Sequence, residues 1–169
     1  MKRSVIIRHA SDQDFKNLTA LAIQVWLHTY ARKGIRNKIS GYVLSRFTPD
    51  YFKGLHESPC QKILVAGKEN HLVGFITIDL NARCSGTHVS GYEVVTLYVQ
   101  EFFQGRGIGT KLLKAAIKEY GSNLWLTTWI KNEPGIRFYK KSGFHEAGIT
   151  FFDLEGEKHE NFILAKKAQ

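Results

Sequence analysis

The chain has 169 residues, 43% hydrophobic and 23% charged, with a formal net charge of +9. That balance excludes a disordered or low-complexity chain, and the length suits about one domain, with a core large enough to hold without disulfides or a metal. Two cysteines, Cys60 and Cys84, exclude a disulfide scaffold and are too few for a zinc site, so free thiols in a reducing compartment are expected.

Lys2 and Arg3 precede only a brief apolar stretch, Val5 to Ile7, where a signal-peptide core needs about 7–15 apolar residues. No run approaches the ~18 apolar residues of a membrane span, so a cytoplasmic protein that engages no membrane is expected. Ser4 to Arg8 reads as a first strand. A helix then starts near Ser11, with Asp12 and Asp14 suited to its positive end. Phe15, Leu18, Ala22, Val25 and Thr29 recur at helical spacing and mark its buried face, and Gly34 ends it. A shorter helix is expected from Ile39 to Arg46, and Thr48-Pro49 opens a further helical turn holding Tyr51, Phe52 and Leu55.

Lys62 to Gly67 and Leu72 to Leu80 form a hairpin around Lys68-Glu69-Asn70. Arg83 to Gly91 reads as a loop, and Tyr92 to Val99 as a largely buried strand. The next helix runs from Gly107 to Tyr120, with Ile108, Leu112, Ala116 and Tyr120 on one stripe. A strand follows at Leu124–Trp129, then a helix from Asn132 to Lys141 stopped at Ser142-Gly143. Two closing strands lie near Ala147–Leu154 and His159–Ala165. The order predicts an α+β fold, a mixed, mostly antiparallel sheet of about six or seven strands with helices on both faces.

The excess of base raises the prior for an anionic partner. Its densest run, Arg32, Lys33, Arg36 and Lys38, reads equally well as a solvated face. No nucleic-acid-binding motif accompanies it, so a nucleic-acid partner is not expected.

The most informative segment is Gln104-Gly105-Arg106-Gly107-Ile108-Gly109-Thr110, between the strong strand and the amphipathic helix. Three glycines at alternate positions leave the backbone bare, and the amides at a helix start make an anion cradle suited to a phosphate or pyrophosphate. Arg106 adds a charged donor. The letters fit neither a dinucleotide fingerprint, since Thr110 stands where its last glycine belongs, nor a Walker loop.

Gln104-x-x-Gly107-x-Gly109, after Leu97-Tyr98-Val99, resembles the acetyl-CoA-binding motif of the GCN5-related N-acetyltransferases. Asn132-Glu133-Pro134-Gly135-Ile136-Arg137-Phe138-Tyr139 resembles that family's second motif. The element order agrees, so the resemblance extends over residues 1–169 as a single N-acetyltransferase domain. It implies an enzyme that moves an acetyl group from acetyl-CoA, with no metal, to a primary amine of a small molecule or peptide, by direct transfer in a ternary complex. It places the pyrophosphate over the amides of Gly105, Arg106, Gly107, Ile108, Gly109 and Thr110, and the pantetheine arm along Leu97, Tyr98 and Val99 as an added strand. Tyr139 matches the general acid that protonates the departing thiolate; a buried core tyrosine is the other reading. Asn132 matches a position that touches the cofactor arm, or is a plain helix cap. A homodimer is left open.

The amine must lose a proton. Glu93, on the strand that carries Leu97, is the candidate base; strict alternation would put 93, 95, 97 and 99 on one face, and a bulge would shift that register. Burial would raise its pKa toward the useful range, although a carboxylate paired with a Lys or Arg would look the same in sequence. His28 and His88 are weaker candidates. Trp26, Tyr30 and Tyr42 could wall the acceptor site or be ordinary core aromatics. Residues 27–58 hold six Lys or Arg against Asp50 and Glu57, which favours a neutral or acidic acceptor over a polyamine. Two other readings stay open, a regulatory coenzyme-A-binding module without catalysis and a basic nucleic-acid-binding protein.

Overall fold

The computed structural model describes residues 4–85 and 87–167. Strand β1 (Ile6–His9) leads through a short 3-10 turn to α1 (Phe15–Tyr30). Its start is pinned by Asp14, whose carboxylate accepts from the Ser11 amide at 2.8 Å and from the Arg8 guanidinium at 2.6 and 2.9 Å. Next come α2 (Asn37–Arg46) and α3 (Pro49–Glu57). The single turn expected after Thr48 is a nine-residue helix. Thr48 Oγ1 caps it by accepting from the Tyr51 amide at 3.1 Å, and Pro49 suits the first position because its missing N–H has no partner there anyway.

The rest of the chain builds most of the sheet: β2 (Gln61–Lys68), β3 (His71–Asp79), β4 (Tyr92–Val99), α4 (Ile108–Tyr120), β5 (Leu124–Trp129), α5 (Glu133–Lys141), β6 (His145–Leu154) and β7 (Glu157–Lys166). The loop between β3 and β4 contains Gly86, which lies outside the described residues. Seven strands form one sheet in the order β1-β2-β3-β4-β5-β7-β6. Every pairing is antiparallel except β4 with β5. The fold is thus the mixed α+β arrangement expected.

Helices cover both faces. Ile108, Leu112, Leu113 and Ala116 of α4 pack with Tyr139 of α5 on Leu64, Val73, Ile76 and Val94. On the opposite face Leu18, Ala22 and Val25 of α1, Val43 of α2 and Phe52 of α3 pack on Ile63, Val65 and Phe75. Leu21 and Trp26 join the buried face of α1, whereas Thr29 is half-buried. Burying two faces of one sheet removes apolar area at roughly 25 cal/mol per Å², and this holds the central strands rigid beneath the site.

Two irregularities of β4 position the chemistry. The strand pairs with β5 only at Tyr92–Leu124 and Glu93–Trp125, after which the two diverge. It also carries a β-bulge against β3: Thr77 opposes Thr96 but Ile78 opposes Val94, so Val95 is the extra residue. Val95 is 40% exposed between buried Val94 and half-buried Thr96. A bulge shifts the alternation by one position, which decides where Glu93 points.

Candidate active site

The glycine-rich turn is built as an open cradle. Gly105 and Gly107 have φ of +71° and +76°, a region side chains rarely adopt, and a Cβ on either would meet no protein atom within 4 Å. The bare backbone therefore faces open space, which a ligand can approach. Gly109 is different: a Cβ there would press on the Phe138 ring at 3.3 Å, so this glycine lets α4 and α5 pack closely. The first helical bond of α4 runs from the Lys111 amide to the Gly107 carbonyl at 3.0 Å. The amides of Ile108, Gly109 and Thr110 precede it and have no carbonyl within the helix, at its positive end. Gln104 donates from Nε2 to the Val99 carbonyl at 3.0 Å and ties the turn to the end of β4. Two cations stand near the Phe103 ring, Arg106 at 5.4 Å and Lys68 at 5.6 Å from its centroid. Amides, helix end and cations together suit a pyrophosphate.

Beside the cradle, the divergence of β4 from β5 leaves the Val94–Val99 edge without a strand on that side. Such an edge can hydrogen-bond an extended ligand arm as a further strand would. The side chains of Leu97 and Val99 pack into the α4 face. Tyr98 points the other way, among the aromatics of α1 and α2.

For Glu93 the bulged register holds, not strict alternation. The residue does not share a face with Leu97 and Val99, because the bulge at Val95 puts Tyr92, Val94, Leu97 and Val99 together on the α4 side. Glu93 instead lines a cavity with Val95, Thr96 and Tyr98. The carboxyl group is half-buried, and burial raises its pKa, with the Asp79 carboxylate across the β3–β4 pair adding to the rise.

That cavity, about 280 Å³, lies over the split and is walled by Trp26, Tyr30, Ile39, Tyr42 and Phe47 from the helices and by Trp129, Phe152 and Leu154 from the sheet. The three aromatics singled out in sequence form one continuous wall, with Trp26 4.9 Å from Tyr30 and 5.1 Å from Tyr42 between ring centroids. Burial pushes the Tyr30 phenol up to about 12, with Tyr42 contributing. The polar lining is Arg36, Arg46, Glu93, Thr96, Thr127, His159 and Asn161.

Tyr139 is 9% exposed and packs between Phe138 and Phe144, with centroids 5.1 and 5.6 Å away. Burial raises its pKa strongly and the Tyr30 phenol adds to the rise, so the hydroxyl keeps its proton throughout the neutral range. Tyr98 feels the phenols of both Tyr30 and Tyr139. Asn132 is a helix cap: its Oδ1 accepts from the Gly135 amide and its Nδ2 donates to Thr128 Oγ1, each at 3.4 Å. His28 is exposed beside Glu101 at 3.4 Å, and neither it nor exposed His88 lines the cavity.

Arg46, Thr127, His159 and Asn161 escaped the sequence reading as site residues. They come from α2, β5 and β7, and only the sheet order brings them together. The one hint was the basic excess of residues 27–58, to which Arg36 and Arg46 belong. Among the described residues no group of three or more His, Cys, Asp or Glu could hold a metal, and no helix is long and apolar enough to cross a membrane.

A parallel strand pair opens beside a glycine-rich helix start, with a separate cavity across the opening, so the fold has room for an extended, phosphate-bearing ligand and for a second, smaller one. Residues 22–144 match the model of the acetyltransferase (GNAT) family, and the chain belongs to that family as an N-acetyltransferase with acetyl-CoA as donor. It is 23% identical over 168 residues to an uncharacterized N-acetyltransferase of Lactobacillus delbrueckii, covering 96% of each chain. It is 25% identical over 151 residues to the L-amino acid N-acetyltransferase AaaT of Escherichia coli, covering 85% of each. Its fold is similar to that of the PaiA N-acetyltransferase from Thermoplasma acidophilum in complex with coenzyme A, with a TM-score of 0.78 and 24% identity over 98% of this chain and 99% of that one.

Proposed function

We propose that the chain transfers the acetyl group directly from acetyl-CoA to a primary amine of a small molecule or peptide, both substrates being bound together. One observation carries this reading: β4 offers a bare backbone edge toward β5 and, from the same residues, side chains to the acceptor cavity. The two substrates then meet at one strand, and holding two reactants in line removes much of the entropic barrier to their reaction. Glu93, with its raised pKa, takes the proton from the attacking amine directly or through water. A backbone N–H near Tyr98 or Val99 stabilises the charge that develops on the carbonyl oxygen. Tyr139 is the proton donor to the departing sulfur. Asn132 acts through its cap on α5, which fixes the helix carrying Tyr139.

The modest size of the cavity supports a small molecule as the acceptor. Cys60 and Cys84 are both free, which suits the reducing cytoplasm.

Initial-rate kinetics with acetyl-CoA and a panel of amines tests the reading. Intersecting double-reciprocal lines and no acetylated enzyme by intact mass are expected. Parallel lines with a stable acetyl-enzyme would replace direct transfer by a covalent route. A rise in thermal midpoint with acetyl-CoA and no turnover of any amine would favour the non-catalytic coenzyme-A module.

A further inference from the structure

We infer that the acceptor amine carries a carboxylate, and that Arg46 is the residue that binds it. The inference rests on the N-acetyltransferase reading and adds the substrate class.

The charges lining the acceptor cavity are unbalanced. Among the described residues lining it Glu93 is the only carboxylate, against Arg36 and Arg46. Arg36 is already committed, because its guanidinium makes a two-pronged contact with Glu157, which Lys38 also approaches at 3.2 Å. Glu157 is held down to about 2 by these partners and stays ionised. Arg46 has no such partner: among the described residues no carboxylate lies within ion-pair distance of it. Its guanidinium instead stacks 4.2 Å from the centroid of the Tyr51 ring, and its charge offsets part of the burial-driven rise at the Tyr42 and Tyr51 phenols. The exposed guanidinium is held by the Tyr51 ring and by a hydrogen bond to the Tyr42 hydroxyl, and its remaining N–H groups can donate to a carboxylate at the cavity mouth.

Two further polar atoms point to a polar ligand. Asn161 Oδ1 and His159 Nε2 are buried and have no hydrogen-bond partner, the Glu157 carboxylate standing 3.9 Å from the histidine nitrogen, and both residues line the same cavity. Buried polar atoms left unpaired are costly, so a polar ligand that draws these two side chains into hydrogen bonds is favoured over an apolar one. The acceptor's amine faces the Glu93 carboxylate, while Asn161 and His159 lie further along the wall, on β7, where a second polar group of the same ligand is accommodated. The carboxylate of the ligand answers the charge at Arg46. A polyamine would bring two or more positive charges to a cavity whose uncommitted charges are Arg46 and Glu93, and a simple monoamine would leave Arg46 unanswered. A cavity of about 280 Å³ holds a molecule of amino-acid size.

The test uses matched pairs. Initial rates are measured with acetyl-CoA and a panel of free L-amino acids, each beside its own neutral α-amide, with spermidine as the cationic control. The wild-type enzyme is expected to prefer the best free acids over their amides by about 10- to 100-fold in kcat/KM. Arg46→Gln collapses that ratio toward one and Arg46→Lys restores part of it. A purely structural loss would lower both members of each pair and leave the ratio standing. Amides or spermidine used as well as the acids, or a ratio unmoved by Arg46→Gln, would overturn the inference. Calorimetric binding of the same pairs to the coenzyme A complex separates the inference from the reading beneath it. If no amine is acetylated but acids bind over amides in an Arg46-dependent way, catalysis fails and the carboxylate site stands. If acids show no such advantage in binding either, the carboxylate site falls too.

Discussion

Val94 and Leu97 point to the same face of β4, although a regular strand would send residues three apart to opposite faces. The extra residue between them, Val95, turns Glu93 and Tyr98 together toward the acceptor cavity and leaves Leu97 and Val99 to anchor the strand on α4. In the proposed mechanism the base and the donor edge are thereby offered from one strand to two different ligands.

Glu93→Gln is expected to lower kcat/KM by about 100-fold, the usual scale for a positioned base. In the wild type the acid limb of the pH–rate profile should lie above the ordinary glutamate pKa of about 4.3, because burial and Asp79 raise this group. The variant should lack that limb. Stability moves in the opposite sense. A raised folded pKa means folding disfavours the ionised form, so the contribution is complete below the unfolded pKa and lost as pH rises through the folded one. Thermal midpoints should therefore show Glu93→Gln gaining on the wild type between pH 4 and pH 8.

Tyr139→Phe should reduce kcat by about 100-fold while leaving acetyl-CoA affinity close to unchanged. The hydroxyl is a small part of a ring held by Phe138 and Phe144, so the variant should fold normally. Paired turnover and equilibrium-binding measurements check this, and an unchanged kcat would remove Tyr139 from the acid role.

Gly107→Ala should abolish the acetyl-CoA-induced rise in thermal midpoint. Its Cβ meets no protein atom, so the folded chain tolerates it apart from about 1–2 kcal/mol for a side chain at φ +76°. The space it fills is the approach to the α4 amides. A folded variant with wild-type affinity would mean that the pyrophosphate sits elsewhere.

Asp14→Asn is expected to destabilise the protein by about 2 kcal/mol at neutral pH without touching the site, since it removes charged hydrogen bonds from Arg8 and Ser11. The Arg8 hydrogen bonds come first in holding the Asp14 carboxyl below the usual range. A lowered folded pKa gives stability that is present above the unfolded value and lost as pH falls through the folded one. Denaturant midpoints of the two proteins should converge in acid.

Most of the secondary structure was legible because its signals are local. Thr48-Pro49, Asn132 with Pro134, and Ser142-Gly143 each announce a helix end within a few residues. The glycine-rich turn was legible for the same reason. The bulge was not, since Val94-Val95-Thr96 gives no period that distinguishes a regular strand from a shifted one. The acceptor cavity was legible only in its α1–α2 wall. His159 and Asn161 reach it because β7 is inserted between β5 and β6, a neighbour relation that no short stretch of sequence records.

The two-pair contact between β4 and β5 also has a mechanical side. Gly91, just before it, has φ +102°, and a Cβ there would stand 2.0 Å from the Asn123 carbonyl oxygen. The chain is cinched at that point and nowhere further along the parallel pair. The sheet is in effect two ribbons, β1 to β4 and β5 with β7 and β6, sewn by one short seam. An extended donor lying in the opening works as a suture: it should slow amide exchange in both ribbons at once and make them unfold as a single unit.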